Sequence, residues 1–498
     1  MISDSSEIKK GASSSHFRNW ISLTGSIVAI GSLFAFIFLV AIDALSHGGN
    51  PYLGILTYIV SPGFLILGLM LIFTGWWLQR REAKRMPMDA GPLSLSIDLA
   101  RPRDRRMLII FGSCSVIFLL LTAFGSYQTY HFTESVEFCG KTCHVVMEPE
   151  YVTYHRSAHA RVSCAECHIG AGASWYVKSK ISGAYQVYST IFSKYNRPIP
   201  TPVSNLRPAQ DTCEHCHWPE KFTGNLDRSY EHFLSDKKNT PYTVRLLLHV
   251  GGGEPGKGPF GGIHWHMNVA NKVEYYAADP QRQVIPWVRV TSKDGRMQVF
   301  RTPDFKGEPP FGAVRRMDCI DCHNRPAHVA QTANQAVEEG MAIGRISTDL
   351  PDIKCIAVET LTKNYESESQ ALTGIADTLK AKYAGSVDLP RSIEGVQKVY
   401  EANFFPEMKA DWRAYPNNLG HKDWPGCFRC HDEKHATADG KAKIKASDCS
   451  TCHTLLAQGR GEELQQLAPR GLAFKHPGGD LDPELLCSDC HNGGIQGK

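Results

Sequence analysis

Cysteine pairs followed directly by histidine recur along this chain. Fourteen of its 16 cysteines form seven such motifs; six are C-x-x-C-H and the first, CGKTCH, is one residue longer. The motifs are Cys139/Cys143–His144, Cys164/Cys167–His168, Cys213/Cys216–His217, Cys319/Cys322–His323, Cys427/Cys430–His431, Cys449/Cys452–His453 and Cys487/Cys490–His491. Two thiols at this spacing can add to the two vinyl groups of one porphyrin edge, and the histidine then presents an imidazole to the iron. The pattern therefore predicts seven covalently bound c-type haems.

Other chemistries also use paired cysteines, among them zinc ribbons, thioredoxin-like redox pairs and disulfide frameworks. None of these requires a histidine directly after the second cysteine, so haem attachment explains the pattern best. The two cysteines outside the motifs, Cys114 and Cys355, are predicted to be buried residues without a redox role.

Each haem iron needs a second axial ligand. The candidates are Met147 for the first haem, and His159, His264, His266, His328, His421, His435 and His476 for the others. All of them lie close to a motif in sequence except His264 and His266, which lie midway between the third and fourth motifs. Of the neighbouring His264 and His266, one ring is expected to bind iron and the other to face away. A haem with two axial histidines has no open coordination position, so these haems are predicted to transfer electrons rather than bind substrate.

Three apolar runs precede the motifs, at about 21–44, 52–78 and 107–127. Each reaches the ~20 residues that a helix needs to cross a bilayer. A buried core helix is the alternative for each run, and a signal peptide is the alternative for the first, but the runs are long for either. The sequence predicts three transmembrane helices.

Charge predicts the orientation of these helices. The segment between the second and third runs is rich in Arg and Lys, whereas residues 46–51 between the first two runs contain neither. Basic segments stay in the cytoplasm. The N-terminus is therefore predicted to be cytoplasmic, and everything after about residue 130 periplasmic, with the protein in the bacterial inner membrane.

Composition agrees with this division of the chain. Hydrophobic residues make up 42% of the sequence and charged residues 21%, which excludes a polytopic transporter and a disordered chain. A net charge of +4, with scattered Lys and Arg, gives no reason to expect nucleic-acid binding.

The predicted fold is mainly α, with three transmembrane helices followed by a multihaem domain of little regular structure. We divide it into a membrane anchor (1–130), a four-haem region (131–330), a helical spacer (331–405) and a three-haem region (406–498). Two alternating runs around Asp294-Gly295 predict a small β-hairpin inside an insertion at about 220–318.

The stretch from CGKTCH through VSCAECHIGAG, with DTCEHCHWPEKF and CIDCHNRPAH, resembles the NapC/NirT family of membrane-anchored quinol dehydrogenases. The likeness covers roughly residues 138–330, and seven motifs with three apolar runs are similar to inner-membrane cytochromes of metal-respiring bacteria. The resemblance implies oxidation of menaquinol near the first haem and electron delivery to periplasmic c-type cytochromes or a reductase, in anaerobic respiration. An oligomer is compatible with it.

The resemblance also implies roles for particular residues. A methionine just after the first motif ligates the first haem in the family, and Met147 corresponds to it. A lysine and a carboxylate line the family's quinol pocket. Lys178 or Lys180 corresponds to the lysine, whereas Gln186 stands where the carboxylate is expected.

Two other functions remain open at this point. A terminal multihaem reductase would keep one iron open to substrate, and an electron-transfer subunit of a larger complex would leave the quinol site to another chain.

Overall fold

The computed structural model describes residues 19–45, 60–83, 99–106, 108–110, 112–113, 127, 131–132, 134–141, 144–170, 172–203, 206–219, 222, 224–251, 261–267, 271–445, 449–480, 482 and 485–494. The chain divides into two compact units. The first comprises Met1–Thr133 and Ile169–Ala184; the second comprises Glu134–His168 and Tyr185–Lys498.

The first unit contains an antiparallel pair of long apolar helices, α1 (Trp20–Leu45) and α2 (Ser61–Ala83). Their backbones pack so closely at Gly68 that an added Cβ would lie 2.6 Å from Ala29 N. Ser61 Oγ donates a hydrogen bond of 2.7 Å to Ser32 O across the pair. Small residues and hydroxyl hydrogen bonds of this kind hold helices together in lipid, where apolar side chains gain nothing by leaving their surroundings.

Both helices are long and apolar enough to cross a membrane, over Trp20–Ile37 and Ser61–Arg81. The second begins later than the sequence predicted, at Ser61, and places Pro62 in its first turn, where a missing N–H is harmless. The rest of that predicted run, 52–59, lies outside the described residues, as does most of the third run at 107–127. The three-helix anchor is thus supported at two of its helices.

The second unit begins with short helices that carry or flank the first motifs. They are α3 (Val136–Lys141), α4 (His144–His155), α5 (Cys164–His168) and α7 (Ala209–Cys213); α6 (Ala173–Ile191) lies between the last two in sequence. Later motifs contribute α8 (Cys319–Cys322) and α13 (Cys487–Cys490).

Two antiparallel sheets account for much of the predicted insertion. One has the order β1 (Asn225–Phe233), β2 (Pro241–His249), β7 (His453–Gly459). The other has the order β5 (Met297–Arg301), β4 (Trp287–Thr291), β3 (Lys272–Tyr276), β6 (Arg315–Arg316). The predicted hairpin is β4–β5, with Gly295 at a φ of +80° in its turn. The sequence predicted one β-hairpin in this insertion, whereas the structure has two sheets.

Four helices fill the predicted spacer: α9 (Ala333–Ala342), α10 (Ile353–Leu361), α11 (Glu368–Tyr383) and α12 (Leu389–Asn403). Their apolar faces share one core, centred on fully buried Val337, Ile353, Leu361 and Ile375. Strand β7 follows the sixth motif and pairs with β2, so strand pairing joins the C-terminal region to the insertion. The proposed domain boundaries themselves remain predictions.

Candidate haem-binding sites

Most of the C-x-x-C-H motifs fold as single helical turns. The N–H of the motif histidine donates to the carbonyl of the first cysteine at 2.8 Å in His217, His323 and His491, and at 3.1 Å in His431. Residues three apart lie on one face of such a turn, so the two cysteines face the same side. The turn thus presents two thiols and one imidazole together, as one porphyrin edge and its iron require.

The sixth motif departs from this form at Cys452. A 3₁₀ turn covers Cys449–Thr451, but it ends before Cys452, and His453 is already the first residue of β7. The main-chain oxygen of Cys452 accepts a hydrogen bond of 2.8 Å from His249 N at the end of β2. Pairing with β2 therefore extends the backbone from His453 onward, whereas the third, fourth, fifth and seventh motifs close a hydrogen-bonded turn at their histidine.

The sequence predicted little regular structure in the haem region, and the strand that begins at His453 is a local exception. Strand β2 supplies its backbone partners from a distant part of the chain. The side chain of Cys452 is half-buried, whereas that of Cys449 lies outside the described residues. Haem attachment at Cys452 accordingly stays a prediction that rests on the motif.

Of the two cysteines outside the motifs, Cys355 is described, and it is half-buried rather than buried as predicted. It lies on α10, with Sγ 3.6 Å from Ser235 O, so one side of its thiol reaches the surface of the helix. Cys114 lies outside the described residues.

Six motif histidines each lie beside a second imidazole. Their ring centroids are separated by 5.9 to 6.3 Å. The pairs are His168–His328, His217–His159, His323–His264, His431–His266, His453–His421 and His491–His476.

These separations fit an iron between the rings. A metal–imidazole bond of about 2.0 Å, with about 1.15 Å from the nitrogen to the ring centre, puts two axial rings about 6.3 Å apart. The pairs therefore have the spacing of axial ligands.

Backbone hydrogen bonds orient several of these rings. Nδ1 of His264 lies 3.0 Å from Val250 O, Nδ1 of His266 lies 3.0 Å from Ile263 O, and Nδ1 of His328 lies 3.0 Å from Glu150 O. The same contact joins His159 to Pro326 O at 3.2 Å and His431 to Lys445 O at 2.9 Å. A carbonyl only accepts, so Nδ1 carries the hydrogen and Nε2 keeps its lone pair for a metal.

His476 differs from this set, because its Nδ1 accepts a hydrogen bond of 3.1 Å from Gly478 N. The pairing of His476 with His491 therefore rests on the ring separation alone, 6.0 Å.

Burial keeps most of these imidazoles neutral. Loss of hydration is the largest cause that lowers the pKa of the buried rings, and in His491 it lowers the pKa to about 4, with help from the charge of Lys422. The same cause lowers the pKa of His168, His266, His323, His328, His421 and His453. Neutral imidazole is the form that binds a metal.

The His421–His453 pair gives a separate test of fit to the cofactor. Both Nδ1 atoms are buried and have no hydrogen-bond partner within the described part of the chain. Buried polar atoms are rarely left in this way. Because iron binds through Nε2 in the other pairs, the fit of this pair to a haem rests on its ring separation of 6.2 Å.

His264 and His266 serve different motifs. Both lie in one 3₁₀ turn, Ile263–Met267, yet His264 faces His323 and His266 faces His431. The sequence predicted that one ring would face away. Residues two apart in a 3₁₀ helix differ by about 240° in direction, so the two rings can reach different sites.

His435 is not brought to a motif histidine in the described structure. Its ring is fully buried, with Nδ1 2.8 Å from Asp432 Oδ1 and Nε2 2.7 Å from Ile285 O. Both partners are acceptors, so both nitrogens donate and neither is free for iron. His435 therefore has a structural role: it joins the loop after the fifth motif to Ile285, in the connection between β3 and β4.

The first motif is described only in part. Cys139 lies in α3 and Met147 is half-buried in α4, whereas Cys143 and the side chain of His144 lie outside the described residues. The assignment of Met147 as a ligand therefore stays a prediction.

The first four motifs lie next to one another in sequence order. Hydrogen bonds join the thiols of Cys139 and Cys164, and those of Cys213 and Cys319. Between these pairs, Cys167 lies close enough to Cys216 for their charges to interact. Motifs one to four thus form a continuous series.

The fourth and fifth motifs are held together by Asp321. Its carboxylate accepts from Tyr275 Oη at 2.7 Å, Arg282 Nη1 at 2.9 Å and Arg315 Nε at 3.0 Å. Its main-chain oxygen accepts from Arg429 Nη2, in the fifth motif, at 2.9 Å. Asp321 lies inside the fourth motif, so these bonds fix one cofactor loop against the next.

The series continues to the sixth motif. The ring of Phe428, inside the fifth motif, stacks on His421 with centroids 4.3 Å apart and an interplanar angle of 17°. His421 is the imidazole that faces His453 of the sixth motif.

The residues predicted to line a quinol pocket lie on α6. Lys178 Nζ is 4.8 Å from the centre of the Trp175 ring, and Lys180 Nζ is 4.8 Å from that of Tyr176. Gln186 is exposed, and its main-chain oxygen accepts from Thr190 Oγ1 at 2.9 Å. Their role in quinol binding remains a prediction.

Comparison with known proteins adds an independent line of argument. The family model for the N-terminal region of the NapC/NirT cytochrome c family matches residues 101–199. The cytochrome c-type protein ImcH of Geobacter sulfurreducens is 42% identical over 494 residues, which are 95% of this chain and 95% of that protein. The cytochrome c-type protein NrfH of Wolinella succinogenes is 31% identical over 94 residues, 18% of this chain and 52% of that protein. No solved structure matches.

The motif turns, the imidazole pairs and these similarities agree. The relatives are cytochrome c-type proteins, and the two apolar N-terminal helices of this chain are long enough to anchor it in a membrane. The chain belongs to the NapC/NirT-type multihaem cytochromes c, a family of electron-transfer proteins with covalently bound haem c.

Proposed function

We propose that this chain is an inner-membrane cytochrome with seven covalent haems that takes electrons from menaquinol near its first haem. It passes them to periplasmic c-type cytochromes or to a periplasmic reductase, in anaerobic respiration that can include extracellular metal. The N-terminus is cytoplasmic and the haem region periplasmic.

The observation that carries the proposal is the set of six imidazole pairs at 5.9 to 6.3 Å. Bound haem supplies an iron that alternates between ferric and ferrous forms and so carries one electron at a time. Two imidazoles per iron leave no position for a substrate. The pairs therefore favour electron transfer over terminal reduction at six of the seven sites.

The order of the motifs supports a path with two ends. Thiol contacts link the first motif through the fourth, Arg429 links the fourth to the fifth, and Phe428 links the fifth to the sixth. These contacts place motifs one to six next to one another in sequence order, which suits a linear carrier that receives electrons at the first motif. Delivery from the seventh motif is part of the proposal.

Quinol oxidation at the first motif draws on the likeness to NapC/NirT cytochromes. The chain supplies Met147 as a ligand at this end, and Lys178 or Lys180 on α6 as cations that can bind a quinol oxygen. Gln186 is an amide and cannot accept a proton as a carboxylate would. Protons released by the quinol are therefore expected to leave through another carboxylate, for which Glu134 and Glu137 are the candidates.

The test is reduction of the purified full-length protein, in proteoliposomes, by a reduced menaquinone analogue. The α-band absorbance of the haems should rise to the level reached with dithionite, and Lys178→Ala with Lys180→Ala should slow the rise. An exposed lysine elsewhere, Lys441→Ala, serves as the control. Haems that dithionite reduces but the quinol does not would contradict the proposal and favour an electron-transfer subunit whose quinol site is in another chain.

A further inference from the structure

A buried charge cluster lies between β1, α9 and α10, and none of its members belongs to an imidazole pair. Glu338 on α9 and Lys354 on α10 are 5% and 3% exposed, with Nζ 2.7 Å from Oε1. His232 on β1 places Nδ1 2.9 Å from Glu338 Oε2. Removing such charges from water is costly, so a cluster of this kind persists only when its members compensate one another.

His232 is the member of this cluster that solvent can reach. Because a carboxylate only accepts, Nδ1 of His232 carries the hydrogen in its bond to Glu338. Nε2 has no hydrogen-bond partner among the described residues, and the side chain is 25% exposed. Solvent can therefore reach the lone pair of Nε2.

The cluster is packed against both ends of the seventh motif. On the proximal side, Asn334 N in α9 donates to Gly493 O at 2.9 Å, and Trp412 Nε1 donates to Asn492 O at 2.9 Å. Those two acceptors directly follow His491. One turn further along α9 lies Glu338.

The distal side of the seventh motif is tied to the same strands. Tyr242 is the cross-strand partner of His232, and its Oη donates to Lys475 O at 3.2 Å. Lys475 directly precedes His476. The proximal segment of the last motif therefore contacts α9, and the distal segment contacts β2, the strand that pairs with β1.

The groups facing His232 come from every packed element: Tyr242 on β2, Glu338 on α9, Lys354 on α10, and Lys422 and Asp423 in the loop before the fifth motif. Glu338 and Lys354 cancel one another. Burial raises the pKa of Asp423, with the charge of Lys422 opposing it. Lys422, Lys354 and Glu338 also lie close enough to His491 for their charges to act on it. The cluster and the seventh motif therefore interact electrostatically.

We propose that His232 is a proton-binding site coupled to the electron held at the seventh motif. This rests on the proposed function, since it requires a haem there. A haem held by His491 and His476 would add one negative charge to the site on taking up one electron, and one proton from solvent would then bind Nε2 of His232. When the electron leaves for the partner, the same proton returns to solvent.

The physical reason is electrostatic. An added electron makes the site more negative by one charge, and in a partly buried region this raises the proton affinity of a nearby imidazole. Glu338 holds the imidazole in place and favours its cationic form, so the last transfer step carries a proton with the electron.

The experiment measures protons taken up per protein when dithionite fully reduces the purified holoprotein in weakly buffered solution between about pH 5 and 8. His232→Gln should take up close to one proton fewer than the parent at the pH of greatest uptake, and Glu338→Gln should lower uptake in the same direction. Glu339→Gln, the adjacent exposed residue on α9, is the matched control and should leave uptake unchanged.

A variant without the last haem, Cys487→Ala with Cys490→Ala, locates the effect. In that background, His232→Gln should change nothing. Equal uptake by His232→Gln and the parent, or a difference that persists without the last haem, would overturn the proposal. If His232→Gln does not fold, two other measurements test the proposal: proton uptake by Glu338→Gln, and the histidine imidazole bands in redox-difference infrared spectra of the parent. Chemical reduction needs no quinol, and an intact mass counts the haems, so failure here is distinct from failure of the proposed function.

Discussion

Arg429 Nη2 donates a hydrogen bond of 2.9 Å to the main-chain oxygen of Asp321. The two residues occupy the variable positions of neighbouring cofactor motifs, CIDCH and CFRCH. A position that the attachment chemistry leaves free is thus used to fix the spacing between two sites. Electron transfer between neighbouring carriers depends on such spacing, so this bond connects folding to conduction.

Asp321→Asn is expected to destabilise the protein. The carboxylate is 3% exposed and pairs with Arg282 and Arg315, and breaking a buried pair from one side costs about 3–5 kcal/mol. Thermal unfolding followed by circular dichroism should show a lower Tm. Asp294→Asn, which removes an exposed carboxylate from the β4–β5 turn, should leave the Tm unchanged. Equal stability of Asp321→Asn and the parent would contradict the assigned role.

His264→Ala is expected to convert one haem from low-spin to high-spin while all seven remain attached. The reason is that His264 and His323 face one another at 6.3 Å, and removal of one ring leaves a five-coordinate iron. EPR spectroscopy would detect the high-spin signal, and an intact mass would count the haems.

The control for that change is His435→Gln. Both nitrogens of His435 are engaged by Asp432 and Ile285, so its loss should affect stability without adding a high-spin signal. A high-spin haem in His435→Gln, with none in His264→Ala, would reverse the two assignments.

Glu338→Gln is expected to lower stability at neutral pH and to flatten its acid dependence. Burial raises the pKa of Glu338, but the hydrogen bond from His232 and the charges of Lys422 and Lys354 outweigh it and hold the pKa at about 2. A depressed pKa contributes stability above the unfolded value of 4.5, and that contribution is lost as the pH falls toward about 2. The loss at pH 7 should be ~3 kcal/mol.

Denaturant unfolding at several pH values measures this prediction. The difference between the parent and Glu338→Gln should shrink steadily from about pH 4.5 downward. A constant difference across that range would show that packing, rather than the charge of Glu338, is responsible.

Met147→Ala is expected to slow reduction by a quinol analogue while leaving all seven haems attached. A methionine ligand raises the potential of a haem, so its removal weakens the driving force at the first acceptor. Stopped-flow absorbance gives the rate, and dithionite reduction with an intact mass provides the control for haem content. Loss of the first haem would contradict a role limited to ligation.

The motifs could be predicted from the sequence because their spacing is dictated locally, by two thiols and one imidazole that lie close together along the chain. The β4–β5 hairpin was predictable for the same reason, since alternation and Asp294-Gly295 act over a few residues. The pairing of strands from distant parts of the chain was not predictable from the sequence. Strand β7 pairs with β2 from a distant part of the chain, and no local pattern encodes that register. The same pairing explains why the backbone at Cys452 differs from that of the other motifs.

The imidazole pairings also depend on tertiary structure. His159 precedes the second motif yet faces His217 of the third, and His328 follows the fourth motif yet faces His168 of the second. Sequence proximity selected these residues but could not assign their partners. His435 has the same proximity, and only the acceptors around its ring separate it from the ligand candidates.

The central claim is that electrons enter at the first motif and move in sequence order to the last. Cutting the series at the fourth motif, by Cys319→Ala with Cys322→Ala, tests it most directly. With a menaquinol analogue in proteoliposomes, the parent should be reduced at all haems, whereas the variant should be reduced rapidly only at the haems of motifs one to three. Reduction of the haems of motifs five to seven at the parental rate would contradict the account.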